Sequence, residues 1–320
     1  FSNAPDLQLQ HPASPSIVFY ARYRICSNEQ YRTRTGFFTM KCYLCTHDTH
    51  RVRKGSARDN SSLKILECTN CGLVALDSAG HIETSHYENS GMHGEAVPSM
   101  TQWLRDTAQD DQRRFDMLKP AIVNRKVLDF GCGAGGFALK AQTLASSVAG
   151  VELEERVHDH WGDALTLHRS LDAAGGGYDL VTAFHVIEHL ADPRAMLKTL
   201  AACMASGGRL VVEVPSSEDA LLTLYANDAF QKFTYWSQHL YLFNADTLRV
   251  LANQAGLKVI AVEQFQRYPL SNHLHWLSRN QPGGHQQWGF LDTPALNAAY
   301  AASLAAVGKC DTVIAHLEKA

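Results

Sequence analysis

The stretch that decides the fold reads VLDFGCGAGGFA, from Val127 to Ala138. An apolar run with the character of a strand enters a glycine-rich turn and leaves it as a helix. Gly131, Gly133 and Gly136 have the spacing G-x-G-x-x-G, which lets a nucleotide approach the backbone at the N-terminus of a helix. The turn therefore predicts a nucleotide-binding α/β domain, but the glycines alone do not choose the nucleotide.

Two acidic residues near the turn bear on that choice. NAD brings a pyrophosphate to the helix N-terminus, whereas S-adenosylmethionine brings an aminocarboxypropyl group with no phosphate. Asp129 would repel a pyrophosphate but attract an ammonium group. Glu152 ends the next predicted strand, where a carboxylate accepts hydrogen bonds from the ribose of either cofactor. Asp129 thus favours S-adenosylmethionine; the alternative is that it only caps the turn and that the glycines serve packing.

The bulk composition narrows the class of protein. The chain has 320 residues, 45% hydrophobic and 19% charged, which is typical of a globular protein. Its net charge of −3 gives no general electrostatic footprint for nucleic acid. No apolar run is as long as a membrane helix requires, and no secretory signal is visible. The 8 cysteines are too sparse for a secreted disulfide scaffold, so we expect a reducing, cytoplasmic location.

Changes in pattern divide the chain into four predicted segments, which are residues 1–39, 40–78, 79–125 and 126–320. The first lacks helical or strand periodicity and is expected to be a disordered leader or a non-native extension, because Met40 offers an alternative start. The second is a cysteine module. The third is a polar linker followed by a helix from Thr101 to Leu118, which Pro120 is expected to stop. The fourth is the α/β domain, with an insertion at about 266–308.

Short strands alternate with helices in the fourth segment, which predicts right-handed βαβ units and a mostly parallel sheet. The predicted strands are Lys126–Phe130, Ser147–Glu152, Leu165–Leu167, Leu180–Phe184, Leu210–Val214 and Leu257–Glu263. Asp192 is expected to cap a helix that ends at Gly207, and Asn244 a helix that ends at Gly256. A further helix is predicted after Thr293, and the closing DTVIAHLEK alternates like a final strand.

The cysteine module has the pattern C-x₂-C-x₂₂-C-x₂-C, formed by Cys42, Cys45, Cys68 and Cys71. Two such pairs on the tips of short hairpins converge into a tetrahedral thiolate site, the geometry that zinc prefers. With four thiolates no ligand position is open, so the spacing predicts a structural zinc rather than a catalytic one. We expect this zinc ribbon to have a core separate from that of the α/β domain.

Five segments give the chain a family resemblance; they read VLDFGCGAGGFA, VAGVELEERV, YDLVTAFHVIEHLADP, GGRLVVEVPS and HLYLFNADTLRVLANQAGL. In this order they resemble class I S-adenosylmethionine-dependent methyltransferases over about residues 126–318. The resemblance implies an α/β fold: a Rossmann-like sheet of seven strands with helices on both faces, an antiparallel last strand and a helical insertion before it. An N-terminal zinc ribbon on such a domain resembles bacterial enzymes that modify sugars and natural products.

The resemblance also implies a cofactor site. Asp129, Gly131 and Gly133 would lie at the methionine end of S-adenosylmethionine, and Glu152 at its ribose. The implied set, including the adenine and sulfonium ends, is Asp129, Gly131, Cys132, Gly133, Gly135, Glu152, Leu153, Ser170, Leu171, Phe184 and His185. Ser170 would lie near the adenine and His185 beside the sulfonium.

His185, Glu188 and His189 spell H-x-x-E-H, which also marks inverted zinc peptidases. A peptidase needs both histidines on one long helix, whereas here Asp192 already begins the next helix. Three readings stay open: the residues line the cofactor pocket, one histidine acts as a general base, or the cluster holds a metal ion.

Two further observations bear on these readings. Ubiquinone-pathway and small-RNA 2′-O-methyltransferases carry a similar E-x-x-E-H with a divalent ion, but His185 stands where that pattern has its first acid. His239, in SQHLYLF, is expected to face the site from another loop. We favour His239 over His185 as the base, because a residue on the acceptor side reaches the nucleophile without passing the methyl group.

The insertion is rich in aromatic, imidazole and amide groups. Trp276, His275, His285 and Trp288 are candidates for a lid over a sugar-like acceptor, and a packed helical hairpin is the alternative. We expect methyl transfer to a small molecule, with a sugar or nucleotide-sugar favoured, and neither a membrane nor a nucleic acid as partner.

Two rival functions remain. In the first, the ribbon of an RNA methyltransferase reads RNA with the cluster of Arg51, Arg53, Lys54 and Arg58; the acidic net charge argues against it. The second is a cofactor-binding protein without catalysis, against which the intact Asp129 argues.

Overall fold

The computed structural model describes residues 31–32, 38–78, 88, 93 and 97–320. Most of the expected leader and of the expected linker therefore lies outside the described residues. None of the described helices is long and apolar enough to span a membrane.

The described strands form two sheets. In chain order they are β1 (Tyr31–Arg32), β2 (Phe38–Thr39), β3 (Thr49–Val52), β4 (Ile65–Cys68), β5 (Val74–Leu76), β6 (Lys126–Phe130), β7 (Ser147–Val151), β8 (Thr166–His168), β9 (Tyr178–Phe184), β10 (Met204–Pro215), β11 (Tyr241–Leu242), β12 (Leu257–Phe265) and β13 (Thr312–Lys319). The main sheet has the order β12-β13-β10-β9-β6-β7-β8, and β13 runs antiparallel to both of its neighbours. The predicted mostly parallel, seven-stranded sheet with an antiparallel last strand is confirmed.

Helices cover both faces of the main sheet. The described α-helices are α1 (Met100–Ile122), α2 (Gly136–Ala141), α3 (Glu155–Trp161), α4 (Leu171–Ala174), α5 (Pro193–Cys203), α6 (Asp228–Thr234), α7 (Ala245–Gln254), α8 (Leu270–Arg279), α9 (Gly284–Gln287) and α10 (Pro294–Ala306). Successive strand residues point to opposite faces: Leu210 and Val212 belong to a buried cluster with α5 and α7, whereas Val211 belongs to one with α1 and α2. The helices α8 to α10 form the predicted insertion between β12 and β13.

Helix starts follow the sequence signals more closely than helix ends. The Asp192 side chain caps α5, and Asn244 forms a capping box at α7. The expected stop at Pro120 is wrong: α1 continues to Ile122, whose fully buried side chain anchors the last turn. The expected end at Gly207 is also wrong. The helix ends at Cys203, and Gly207 falls in an irregular stretch at the start of β10, where the register with β9 shifts.

The smaller sheet joins the cysteine module to the α/β domain. Its order is β1-β2-β3-β4-β5-β11, and all of its pairs are antiparallel. The edge strand β11 comes from the α/β domain, where it precedes α7. The ribbon sheet is therefore completed by a strand that lies about 165 residues further along the chain than β5.

The expectation of a separate ribbon core is wrong. Cys42, Leu44, Cys68 and Leu73 lie in the same buried cluster as Phe243 and residues of β10, α7 and β13. The side chain of Gln254 adds a hydrogen bond of 2.8 Å to the carbonyl of Leu44. Hairpins of this size cannot bury enough apolar surface alone, so the ribbon uses the α/β domain as its second layer.

Because the ribbon and the α/β domain share this cluster, we expect them to unfold together. Phe243→Ala should lower the free energy of unfolding by about 3–5 kcal/mol, the usual cost of such a cavity. Chemical denaturation followed by two independent probes should show one transition for both units. The control Val250→Ala, at a position 36% exposed on α7, should change stability by less than about 0.5 kcal/mol. A separate, earlier transition of the ribbon would contradict the shared core.

Candidate active site

The carboxyl ends of the parallel strands meet at one edge of the main sheet, and the predicted cofactor residues lie there. Asp129 is near the end of β6, Glu152 follows β7, Ser170 follows β8 and His185 follows β9. The topology thus brings together residues that the sequence separates by tens of positions.

Left-handed backbone explains most of the glycines in the turn. Gly131, Gly133 and Gly135 have φ values of +69°, +53° and +83°, which L side chains rarely adopt. Gly136 has a different role, because a Cβ there would lie 2.2 Å from Oδ2 of Asp111 on α1. The turn glycines therefore shape an open loop, and Gly136 allows α1 to pack against α2.

Glu152 holds the turn from the neighbouring strand. Its Oε2 accepts a hydrogen bond of 2.8 Å from the amide of Gly133. Its Oε1 accepts bonds of 2.7 and 3.0 Å from the amides of Leu153 and Glu154. Burial raises the pKa of Glu152, and these amide donors oppose that shift. Glu152 thus fixes the glycine turn through three backbone amides.

Cys132 packs toward the sheet. Its amide and that of Gly131 donate to the carbonyl of Val151, at 3.2 and 2.8 Å. A Cβ on Gly150 of β7 would lie 2.7 Å from the Cys132 Sγ and 2.8 Å from Leu167 Cδ2. The absence of a side chain at Gly150 therefore makes room for Cys132 under the turn.

Asp129 is almost completely buried, with 2% of its surface exposed. Burial raises its pKa to about 7, although a hydrogen bond of 2.7 Å from Thr182 Oγ1 acts in the opposite direction. A carboxyl group in this condition gains most from a cationic partner.

Trp103 of α1 forms a wall of the turn that the sequence pattern did not indicate. Its ring would lie 3.2 Å from a Cβ on Gly133, and His93 packs edge-on against it at 4.5 Å between centroids. The Arg156 guanidinium lies 5.0 Å from the same ring. In a sequence, an aromatic residue on a helix face indicates a position in the hydrophobic core, so no local signal distinguishes Trp103 from an ordinary core residue.

The remaining predicted cofactor residues have different structural roles. Ser170 caps α4 by accepting a hydrogen bond from the amide of Ala173, and Leu171 is buried at the start of that helix. The Phe184 ring packs edge-on against Phe137, at 5.1 Å between centroids. Phe184 therefore belongs to the hydrophobic core, and its ring is not an open wall of the site.

His185 lies between two buried carboxylates. Its Nε2 is 3.1 Å from Glu213 Oε1, and its Nδ1 is 3.4 Å from Glu188 Oε1. Burial alone would lower the pKa of His185, but the two carboxylates raise it above its usual value. Its φ of +54° is the left-handed conformation, which is uncommon for a residue with a side chain. The strand end is thus bent so that the ring sits between the two acids.

Glu213 of β10 is the centre of a charge network that the sequence analysis missed. Its carboxylate is fully buried and accepts hydrogen bonds from Arg113 and Arg114 of α1, at 2.8 and 2.7 Å. Burial opposes ionisation, but His185 and these arginines hold the pKa of Glu213 well below its usual range. One signal was available: Glu213 is a lone charge within the apolar run LVVEV.

Glu188, His189 and His239 converge at this edge. Each offers one donor atom, and the three atoms lie within 4.8 Å of one another. Both carboxylate oxygens of Glu188 and the Nδ1 of His239 are buried and accept or donate no hydrogen bond among the described residues. Burial lowers the pKa of His239 to about 3, so its ring is neutral at pH 7. His239 thus joins two residues of the H-x-x-E-H motif, and His185 faces the acids instead.

The four motif cysteines also converge. Their Sγ atoms lie within 4.8 Å of one another, with Cys42 and Cys71 at 3.6 Å and Cys45 and Cys68 at 3.5 Å. They belong to the free cysteines of the described chain rather than to a disulfide. Four sulfur donors at one point suit a soft, tetrahedral ion such as zinc.

The basic cluster of the ribbon has intramolecular partners. Arg51 and Arg53 form ion pairs with Glu67, at 2.5 and 2.6 Å. Lys54 forms an ion pair with Asp228 at 2.6 Å, and the guanidinium of Arg58 lies 4.5 Å from the centroid of the Trp236 ring. Arg53 is mostly buried by these contacts, whereas the side chains of Arg51 and Lys54 stay 64% and 71% exposed.

The insertion is packed rather than open at two of its candidate lid residues. Trp276 and His275 of α8 are buried, with 2% and 1% of their surface exposed. The His275 Nδ1 is 2.8 Å from the Gln281 carbonyl. Trp288 packs edge-on against His275, and only His285 among the four candidates is exposed. The structure therefore favours the packed helical alternative for this segment.

Comparisons with known proteins find a matching family model, related sequences and similar solved structures. A family model described as a methyltransferase domain matches residues 100–262. The ubiquinone biosynthesis O-methyltransferase of Bordetella avium (strain 197N) is 24% identical over 199 residues, which cover 57% of this chain and 78% of the relative. The protein of the same name from Rhizobium johnstonii is 24% identical over 190 residues, covering 55% of this chain and 77% of the relative. A crystal structure of a SAM-dependent methyltransferase from Archaeoglobus fulgidus aligns with a TM-score of 0.46 and 19% identity, over 65% of this chain and 92% of that one.

The Glu213 network gives a test of how this edge is stabilised. Glu213→Gln should lower the free energy of unfolding by about 3–5 kcal/mol at pH 7, because it removes the fully buried counter-charge that Arg113, Arg114 and His185 share. A carboxyl whose pKa is lowered by folding stabilises above its unfolded pKa, and the benefit is lost as the pH falls. The difference from the wild type should therefore shrink below about pH 4.3.

Urea denaturation at several pH values measures this difference. The control Glu263→Gln changes a strand glutamate that is 56% exposed, and its effect should stay below about 0.5 kcal/mol. Equal effects of the two substitutions would exclude the network as a main source of stability.

Proposed function

This chain belongs to the methyltransferase domain family, whose model matches about half of its length, and we propose that it methylates a hydroxyl oxygen of a small acceptor. That it is an S-adenosylmethionine-dependent methyltransferase follows from the family and from the named relatives. The acceptor class rests on one observation in particular, the convergence of Glu188, His189 and His239 at the carboxyl edge of the sheet.

The glycine turn fits the cofactor. Asp129 would receive its ammonium group, directly or through water, and Glu152 its ribose hydroxyls. The buried Asp129 carboxyl accepts a hydrogen bond from the neutral hydroxyl of Thr182, and an ammonium group would supply the counter-charge that burial calls for. When bound, the cofactor supplies an activated methyl group, so placement of the acceptor in line with it provides much of the rate.

The four-cysteine site fits a structural zinc ion. Cys42, Cys45, Cys68 and Cys71 supply four sulfur donors, and no open position would remain for a reactant. Because the site lies in the core shared with the α/β domain, zinc there would stabilise the whole protein rather than the ribbon alone.

A second metal site fits Glu188, His189 and His239. One carboxylate and two imidazoles are a donor set that binds divalent ions such as Mn²⁺, Fe²⁺ or Zn²⁺, and it leaves positions for other oxygen ligands. Glu188 Oε2 and His239 Nδ1 are buried without a hydrogen-bond partner among the described residues, which supports a missing cation. Both ring nitrogens of His185 face carboxylates, so His185 is not included. An ion at this point would lower the pKa of a hydroxyl bound to it.

Oxygen is the favoured methyl acceptor because an alcohol or phenol has to lose a proton on methylation. A metal ion held by Glu188, His189 and His239 would promote that deprotonation. The relatives named above are O-methyltransferases by name. A sugar or nucleotide-sugar stays our favoured acceptor because of the ribbon, with an aromatic diol as the alternative.

The cofactor assignment can be measured by calorimetry. S-adenosylhomocysteine should bind, and NAD should not compete with it. Glu152→Ala should weaken binding by about 1–3 kcal/mol, since it removes charge-assisted hydrogen bonds. The control Glu155→Ala, whose side chain is 73% exposed on the next helix, should not change the affinity. Competition by NAD, or an unchanged affinity in Glu152→Ala, would refute the assignment.

The acceptor and the second metal are tested in one experiment. Elemental analysis of the wild type should find two ions per chain, and Glu188→Gln should lose one while the zinc remains. The wild type should methylate nucleotide-sugars or aromatic diols but not a short RNA. Removal of the second ion should lower this rate by roughly 10²–10⁴-fold, with cofactor affinity unchanged.

A different result would favour another mechanism. Full activity with only the ribbon zinc present, together with loss of a histidine ionisation from the pH–rate profile of His239→Ala, would assign His239 as a general base. Methylation of the RNA alone would restore the RNA alternative.

A further inference from the structure

The loop of residues 235–240, which we name the His239 loop, connects α6 to β11 and carries a member of the proposed active site. Within it, the ring of His239 packs against Trp236 at 5.4 Å and against His189 at 4.9 Å between centroids. The loop has no regular secondary structure of its own, so its position depends on its neighbours.

The ribbon holds the middle of the loop through one acidic residue. Asp59, in the connection between β3 and β4, accepts two hydrogen bonds from Ser237: one of 2.9 Å from its amide and one of 2.6 Å from its hydroxyl. Both oxygens of the Asp59 carboxylate are used, which fixes the direction as well as the distance of Ser237. Ser237 lies two positions before His239.

Arg58 holds the start of the same loop. Its amide donates a hydrogen bond of 2.8 Å to the carbonyl of Tyr235. Its guanidinium lies over the ring of Trp236, 4.5 Å from the centroid. Adjacent ribbon residues thus bind three successive loop residues, from Tyr235 to Ser237.

The ribbon sheet holds the end of the loop. The amide of Leu76 donates a bond of 3.1 Å to the Leu240 carbonyl, and β5 pairs with β11 immediately after it, with Tyr241 opposite Ala75. His239 therefore lies on a short span whose two flanks are both attached to the cysteine module. None of these bonds comes from the glycine turn or from the cofactor edge of β6 and β7.

We propose that Asp59 of the ribbon is a positioning residue for catalysis, which keeps His239 at the acceptor side of the active site. The inference rests on the proposed function of the cluster of Glu188, His189 and His239. It gives the ribbon a part in the reaction beyond stability, because the acceptor side of the site is completed by a separate layer of the protein.

Four variants of the full chain test the proposal. Asp59→Ala should lower kcat by about 10²-fold, the scale of a misplaced catalytic group, while the affinity for S-adenosylhomocysteine stays unchanged. Asp59→Asn should restore most of the rate, because its amide can accept from the Ser237 amide and donate to the Ser237 hydroxyl. Lys54→Ala is the control: its ion pair with Asp228 is an exposed contact between the ribbon and α6, as the Asp59–Ser237 contact is exposed, but it does not involve the His239 loop. His239→Ala reports on the cluster itself.

Hydrogen exchange supplies a readout that does not depend on turnover. In Asp59→Ala the peptide that covers the His239 loop should exchange faster, and the peptides of β6 and β7 should not change. Zinc content and melting temperature identify a variant whose ribbon has unfolded. In that case Ser237→Ala, which keeps the amide bond but loses the hydroxyl bond, is measured in the same way and should show a smaller loss of kcat.

The outcomes separate the two hypotheses. If His239→Ala is inactive while Asp59→Ala has wild-type kcat and wild-type loop exchange, the positioning role is wrong and the proposed function stands. If His239→Ala keeps the wild-type rate, the proposed function of the cluster fails first. A loss of kcat in Asp59→Ala that Asp59→Asn does not recover, or an equal loss in Lys54→Ala, also overturns the positioning role.

Discussion

The rest of this site depends on the ion pairs that the buried carboxylate of Glu213 makes with Arg113, Arg114 and His185. A carboxylate without exposed surface is tolerated only if cations and donors surround it. Here Arg113 and Arg114 come from α1 and His185 from the end of β9, so one charge draws together a helix that precedes the sheet and two of its central strands. The same attachment sets α1 across the glycine turn, where Trp103 closes one side.

The cysteine module is better understood as a second layer of the enzyme than as an appended domain. Its sulfur cluster lies in a core to which α7 and β10 contribute, and its sheet is completed by β11. A small hairpin unit gains stability from both sources, the proposed metal and the borrowed apolar surface. As a consequence, the loop before β11 contacts the ribbon on one side and the α/β domain on the other.

The position of His185 decides how the H-x-x-E-H motif is interpreted. His185 lies between Glu213 and Glu188, so it links the charge network to the neighbouring cluster and has no ring nitrogen left for a metal ion. The open donors are those of Glu188 and His239, which arrive from positions 51 residues apart. The three residues of the motif therefore lie in two adjoining groups, with His185 beside Glu213 and with Glu188 and His189 beside His239.

The sequence by itself determined that the main sheet is mostly parallel, and it located the glycine turn, the helix starts and the cysteine pairs. These features depend on local periodicity, backbone conformation and fixed spacing. It also placed Asp129 and Glu152 at the carboxyl ends of β6 and β7, because the ends of strands can be recognised from the local sequence. It failed at Pro120 and Gly207, where burial of Ile122 and the register of β10 outweighed local stop signals. Only the tertiary structure decided that Glu213 binds two arginines of α1, that Trp276 is buried in the core, and that the ribbon contacts the loop that carries His239. Each of these depends on contacts between residues far apart in the chain, and neither composition nor spacing encodes such contacts.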